Sequence, residues 1–196
     1  ERVLAMAGDV DEEVVYQLAF TLGERKTRSS AEDDGAGVLS KIIDRFGDDR
    51  WIQLAVLSSS VGVSSSLLDA LLLHLAPGAR QNPSTNALLE KLAAQIALQN
   101  NSGAVHLAVE RLQAIPASDA SLALVISRGL MQGLKKPNSE ISKLAAAGKL
   151  AKMQSIVDTM LAKSTAVAVD EKAAVKTRLA AIDTLGMGKF ADLQPT

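Results

Sequence analysis

Cysteine is absent from the 196 residues. That excludes disulfides, thiolate metal sites, covalent c-type haem attachment and a cysteine nucleophile within these residues. Aromatic residues are scarce: three Phe, one Tyr and one Trp. The core must therefore be aliphatic. Leu and Ala supply most of it, and both are strong helix formers, whereas strands favour β-branched and aromatic residues. No run of 18 or more apolar residues exists, so no transmembrane helix and no membrane partner is predicted. The most apolar stretch, Leu67–Ala76, is short and carries Asp69 and His74. The first residues, ERVLAMAGDV, lack the basic start, apolar core and cleavage site of a signal peptide. They begin without Met in what reads as mid-helix, so the chain is expected to be a segment of something longer.

Charge of one sign is also lacking, since the net charge is −1. No global field draws in nucleic acid or a membrane. The charges are unevenly placed, however. Residues 1–50 carry 12 acidic and 7 basic side chains, and residues 128–163 carry 7 basic and 2 acidic. The ordinary reading is solvated helix faces. The sharper one is docking faces for other parts of a larger protein.

What is present is helical periodicity. Residues 1–7 fit a helix end closed by Gly8, and Asp11 is placed to cap the next helix, with Glu12 and Glu13 at its positive end. From Val14 the apolar positions Val14, Val15, Leu18, Ala19 and Leu22 have helical spacing. Further helices are predicted at about 38–46 and from Arg50, and then at 67–75, 84–99, 104–115 and 118–135. One or two more fall in 139–166, with Gly148 a break, and the last is at 175–185. Polar loops, Pro77, Pro116 and Pro137 separate several of these segments. About ten helices and no strand-like alternation define an all-α chain.

Three segments share a plan of an acidic turn followed by a helix rich in Leu and Ala: DEEVVYQLAFTLG, GDDRWIQLAVLSS and DEKAAVKTRLAAIDTLG. Gln17-Leu18-Ala19 returns as Gln53-Leu54-Ala55, 36 residues later. That spacing is one antiparallel helix pair with its turns, as in HEAT or armadillo arrays. Each pair has an apolar face that it cannot bury alone, and stacking a similar pair buries it. The expected architecture is an α-α superhelix of about five pairs forming a single domain over 1–196. Ala19, Ala55 and Ala180–Ala181 would let neighbouring units approach closely.

Catalytic signatures are missing. There is no HExxH, GxSxG elbow or Walker loop. Gly35–Ser40, GAGVLS, has part of a phosphate-loop pattern but lacks its last glycine and follows a charged loop instead of a strand. His74 and His106 sit on separate predicted helices, so no metal site and no cofactor is predicted. The carboxylates of residues 9–13, 32–34 and 48–49 are explained by capping, and 31–37 lacks the ligand pattern of a calcium loop. Lys135, Lys136, Lys143, Lys149, Lys152 and Lys163 suggest a basic stripe for nucleic acid. No arginine cluster or aromatic interleaving accompanies them. Tyr16 and Trp51 stand at or near the starts of similar helices. Their ordinary role is packing between units, and the alternative is a partner-facing surface, where Trp and Tyr are over-represented. On that alternative the candidate partner-binding residues are Tyr16, Gln17, Arg50, Trp51 and Gln53.

The order of these pieces, with LLDALLLHL and SLALVISRGLMQGLKK between the first two repeats and the last, resembles the HEAT-like segment of very large planctomycete-type proteins. In that family the segment follows a sugar-dehydrogenase-like propeller and precedes a haem-binding domain with CxxCH. The resemblance covers most of residues 9–190. It implies an exported or periplasmic parent protein whose redox chemistry lies in flanking domains. This chain has neither propeller nor CxxCH, so no catalytic or haem-ligand residue transfers to it. The expectation is a monomeric, non-enzymatic scaffold that spaces domains or contacts a protein partner. The alternative is a nucleic-acid-binding repeat protein using the Lys135–Lys163 face.

Overall fold

Short polar side chains set several of the helix starts. A computed structural model describes residues 6–24, 35–74, 82–136 and 138–186, the side chains at 24, 180 and 183 excepted. Asp11 accepts the Glu13 amide at 2.9 Å and opens α1 (Glu12–Glu24). α2 covers Gly35–Phe46. Asp49 accepts the Trp51 and Ile52 amides at 2.7 and 2.8 Å and opens α3 (Arg50–Ser59). α4 (Ser64–His74) starts at the serine cluster, three residues before the predicted 67. Asn82 caps α5 (Pro83–Gln99) and Asn101 caps α6 (Ser102–Ala114), each satisfying an otherwise orphaned backbone donor. Between these two helices Asn100 takes the left-handed conformation, φ 60°, which Asn tolerates better than most residues. α7 is Ala120–Met131, α8 is Glu140–Ala146, α9 is Ala151–Val169 and α10 is Val175–Leu185.

The fold is all-α, with ten α-helices and no strand among the described residues. The predicted break at Gly148 is present, with φ 69°. The predicted continuous helix over 118–135 is corrected: 3₁₀ turns at Ala117–Asp119 and Gln132–Lys135 flank α7. At the second turn the Ser139 hydroxyl donates to the Gly133 carbonyl at 2.8 Å. The glycine-rich start GAGVLS is no phosphate loop: it forms the first turns of α2, with Ala36, Val38, Leu39 and Ser40 buried. Of the polar loop expected over 25–37, residues 35–37 are instead helical, as the first turn of α2, and 25–34 lie outside the described residues, as do the breaks at Pro77, Gly78 and Pro137, the helix end at Leu75, the side chain of Ala180 and the tail from 187.

The chain divides into two compact units, 1–149 and 150–196. In the first, contacts run mainly between alternate helices. α1 meets α3, α3 meets α5 and α5 meets α7, while α2 meets α4, α4 meets α6 and α6 meets α8. The buried face of the odd-numbered helices recurs every 37 residues. Val15, Ile52, Leu89 and Ile126 form one buried row, followed by Leu18, Ala55, Leu92 and Gly129. Ala19, Val56, Ala93 and Leu130 form a third, and Leu22, Ser59, Ile96 and Gly133 a fourth. The last three rows alternate large and small residues, which lets neighbouring helices interdigitate at close range. The repeat of letters at 36 is therefore not the repeat of the face. Gln17 and Leu54 are exposed whereas Leu18 and Gln53 are buried, so Ala19 corresponds to Val56, not to Ala55. Thirty-seven residues beyond Ile126 stands Lys163, exposed on α9, and the register ends there.

In the second unit α9 packs on α10. Leu150, Met153, Val157, Met160 and Ala181 are buried. Arg178 Nε donates to the Ala168 carbonyl at 3.1 Å and ties the two helices together. Val175, Leu179 and Ile182, on one stripe of α10, are more than half exposed.

Candidate partner-binding cleft

The starts of α1 and α3 bring two distant segments of sequence together. Capping by Asp11 and Asp49 fixes the first turn of each helix. Tyr16 and Gln17 project from α1, and Trp51 and Ile52 from α3. Glu12, Glu13, Tyr16, Gln17, Asp49, Trp51 and Ile52 line a cleft of about 450 Å³. Trp51 is 65% exposed, which overturns core packing between units as its role. Tyr16 is half-buried, its ring edge-on to Phe20 with centroids 5.0 Å apart. Three carboxylates face the cleft, and among the described residues no cation lines it.

The five residues predicted for partner contact divide accordingly. Tyr16, Gln17 and Trp51 meet at the cleft. Arg50 is exposed but does not line it. Gln53 is 6% exposed, and its amide donates to the carbonyls of Gly47 at 2.6 Å and Ser84 at 3.0 Å. It is an internal tie between α3 and the start of α5. The reason is helical phase: Gln53 lies one position past Ile52, on the edge of the face that α3 turns inward.

A second depression, of about 190 Å³, lies between α4 and α6. It contains Asp69 paired with Arg111, with Asp119 at its rim. Arg111 also reaches Asp69 Oδ2 at 3.3 Å. This pair joins two helices and leaves neither charge free for chemistry.

His74 ends α4 at the surface. His106 belongs to a polar group that spacing along the chain does not signal, because its members are brought together by the contact of α6 with α8. His106 Nδ1 lies 2.8 Å from the Ser102 carbonyl oxygen and 3.4 Å from its hydroxyl. Glu140 pairs with Lys143 at 2.6 Å. The Lys143 ammonium, and then the Ser102 hydroxyl, hold the Glu140 carboxyl below the usual carboxylate range. The group stands near the surface, with Glu140 mostly buried and His106 exposed. Among the described residues no three His, Asp or Glu side chains gather as a metal site. The acidic residues 32–34 of the stretch considered for calcium lie outside the described residues.

The six lysines of the basic stripe fall in both units, four in the first and two in the second. Lys143 is neutralised by Glu140, and Lys136 donates to the Leu98 carbonyl at 3.0 Å. No helix among the described residues is long and apolar enough to cross a membrane. No family model, curated protein or solved structure matches the chain.

Proposed function

We propose that this chain is a helical-repeat scaffold of HEAT or armadillo type, an α-α superhelix without catalytic activity of its own, that contacts a protein partner through the Trp51 cleft. The observation that carries this reading is the 37-residue recurrence of one buried face on four alternate helices. Stacked pairs with nearest-neighbour contacts give a rigid frame without a deep central site. The exposed Trp51 beside Tyr16 supplies the rigid aromatic area that hot spots use. Flanking domains of the same chain are an equally suitable class of partner, in keeping with the resemblance to large exported redox proteins.

Hydrogen exchange on the full chain tests the repeat reading. A stacked array opens in graded steps, with protection varying from one helix pair to the next. One uniform, all-or-none exchange class over α1–α8 would remove it. The nucleic-acid reading receives less support, because two of the four first-unit lysines are already engaged. A labelled duplex that binds at low salt, with affinity falling steeply as salt rises, would restore it.

A further inference from the structure

From the chemistry of the cleft we infer that its occupant is an arginine side chain of a partner polypeptide. This rests on the reading of the cleft as a protein-docking surface and names what docks there. Trp51 offers an indole face that is 65% exposed, and among the described residues no ring or cation stacks on it. Tyr16 supplies a second aromatic wall across the cleft. A guanidinium is planar, weakly hydrated and cationic, so it stacks on such a face while its edge donates hydrogen bonds.

Carboxylates stand ready for that edge. Asp49 is committed to capping through Oδ1. Glu12 and Glu13 line the same cleft, and neither carboxylate has a hydrogen bond or ion pair among the described residues. A forked donor between aromatic walls and unpaired carboxylates is the geometry in which arginine exceeds lysine.

Helix N-termini by themselves favour anions. Here three acidic side chains already occupy the first turns and their caps, and among the described residues no basic side chain lines the space. The remaining field favours a cation. Residues 6–23 contain four acidic side chains and no Lys or Arg, which extends the same sign beyond the cleft rim.

Trp51 is the only tryptophan, so its emission reports on this cleft alone. The full chain is titrated with a blocked five-residue peptide carrying two arginines. The control is the same peptide with citrulline, the neutral isostere. The expected result is a saturable change in Trp51 emission with the arginine peptide and none with citrulline. The Glu12→Gln/Glu13→Gln double variant should weaken binding by about three- to tenfold, with its helical circular dichroism unchanged. No saturable change, an equal response to citrulline, or full affinity in the double variant would overturn the inference. Hydrogen exchange on the same sample keeps the two readings apart. Graded protection with a silent Trp51 removes the arginine inference alone, whereas all-or-none exchange removes the array reading whatever Trp51 reports.

Discussion

Gly129 on α7 lies so close to α5 that a β-carbon placed on it would stand 2.6 Å from the Ala93 Cβ and 2.9 Å from the Ala94 amide nitrogen. One turn later Gly133 repeats the relationship, 2.9 Å from the Ala97 Cβ. These two glycines occupy rows of the 37-residue register where α5 presents Leu92 and Ile96. The small residues are there because helix backbones meet, not because the helix needs to bend.

Gly129→Ala should therefore lower stability by about 1–3 kcal/mol. Overpacking dominates, although Ala is the better helix former by roughly 1 kcal/mol. Urea denaturation followed by circular dichroism measures it. A stabilised variant would mean that α5 and α7 can separate at no cost.

Ala19 and Ala55 are fully buried. Replacing either with Leu should cost about 1–3 kcal/mol by the same mechanism. Unchanged thermal stability in both variants would place neither alanine at a helix–helix contact. Trp51→Ala, in contrast, should shift stability by less than about 0.5 kcal/mol, because the side chain is mostly solvated.

Gln53 holds two carbonyls together from beneath the surface. Gln53→Leu should cost about 1–3 kcal/mol, since both acceptors lose their buried donor. Gln53→Glu adds a pH dependence with a definite sign. A carboxyl facing two carbonyl oxygens is stabilised in its protonated form, so its folded pKa rises above the unfolded value. The variant should be most stable at acid pH and lose stability as pH rises through the folded pKa. Denaturant midpoints that are flat with pH for this variant, relative to the parent chain, would contradict it.

Glu140 has the opposite sign. Its carboxyl is held low by Lys143 and Ser102, so the pair's contribution is present above the unfolded carboxylate range and is lost as pH falls through the folded pKa. An NMR titration of the Glu140 side chain should give a midpoint below that of an ordinary Glu. Lys143→Ala should move the midpoint back up. An unmoved midpoint would show that the salt bridge is not populated in solution.

Much of the helical content was legible in the sequence because its signals are local. Caps such as Asp11 and Asp49 bond to amides two or three residues away, and the apolar spacing of Val15, Leu18, Ala19 and Leu22 needs only one helix to read. α10 falls on the predicted residues 175–185 for that reason. The repeat was legible but misregistered. Matching letters, Gln-Leu-Ala at 36, competed with matching burial at 37, and a one-residue slip turns a helix by 100°. That slip set Gln53 beside Gln17 as a surface residue. The tertiary fold buries Gln53 because α5 arrives over it with the Ser84 carbonyl.

Sequence alone determined that this chain is all-helical, without disulfides, and built on an aliphatic core. The tertiary structure decided which turn of each helix faces inward. It pressed Gly129 and Gly133 against α5, and it joined Tyr16 and Trp51 across 35 residues into one acidic, aromatic cleft. Those outcomes depend on distances between helices. Hydrophobic spacing fixes the apolar face of a single helix, whereas the approach of two backbones depends on the volumes of both.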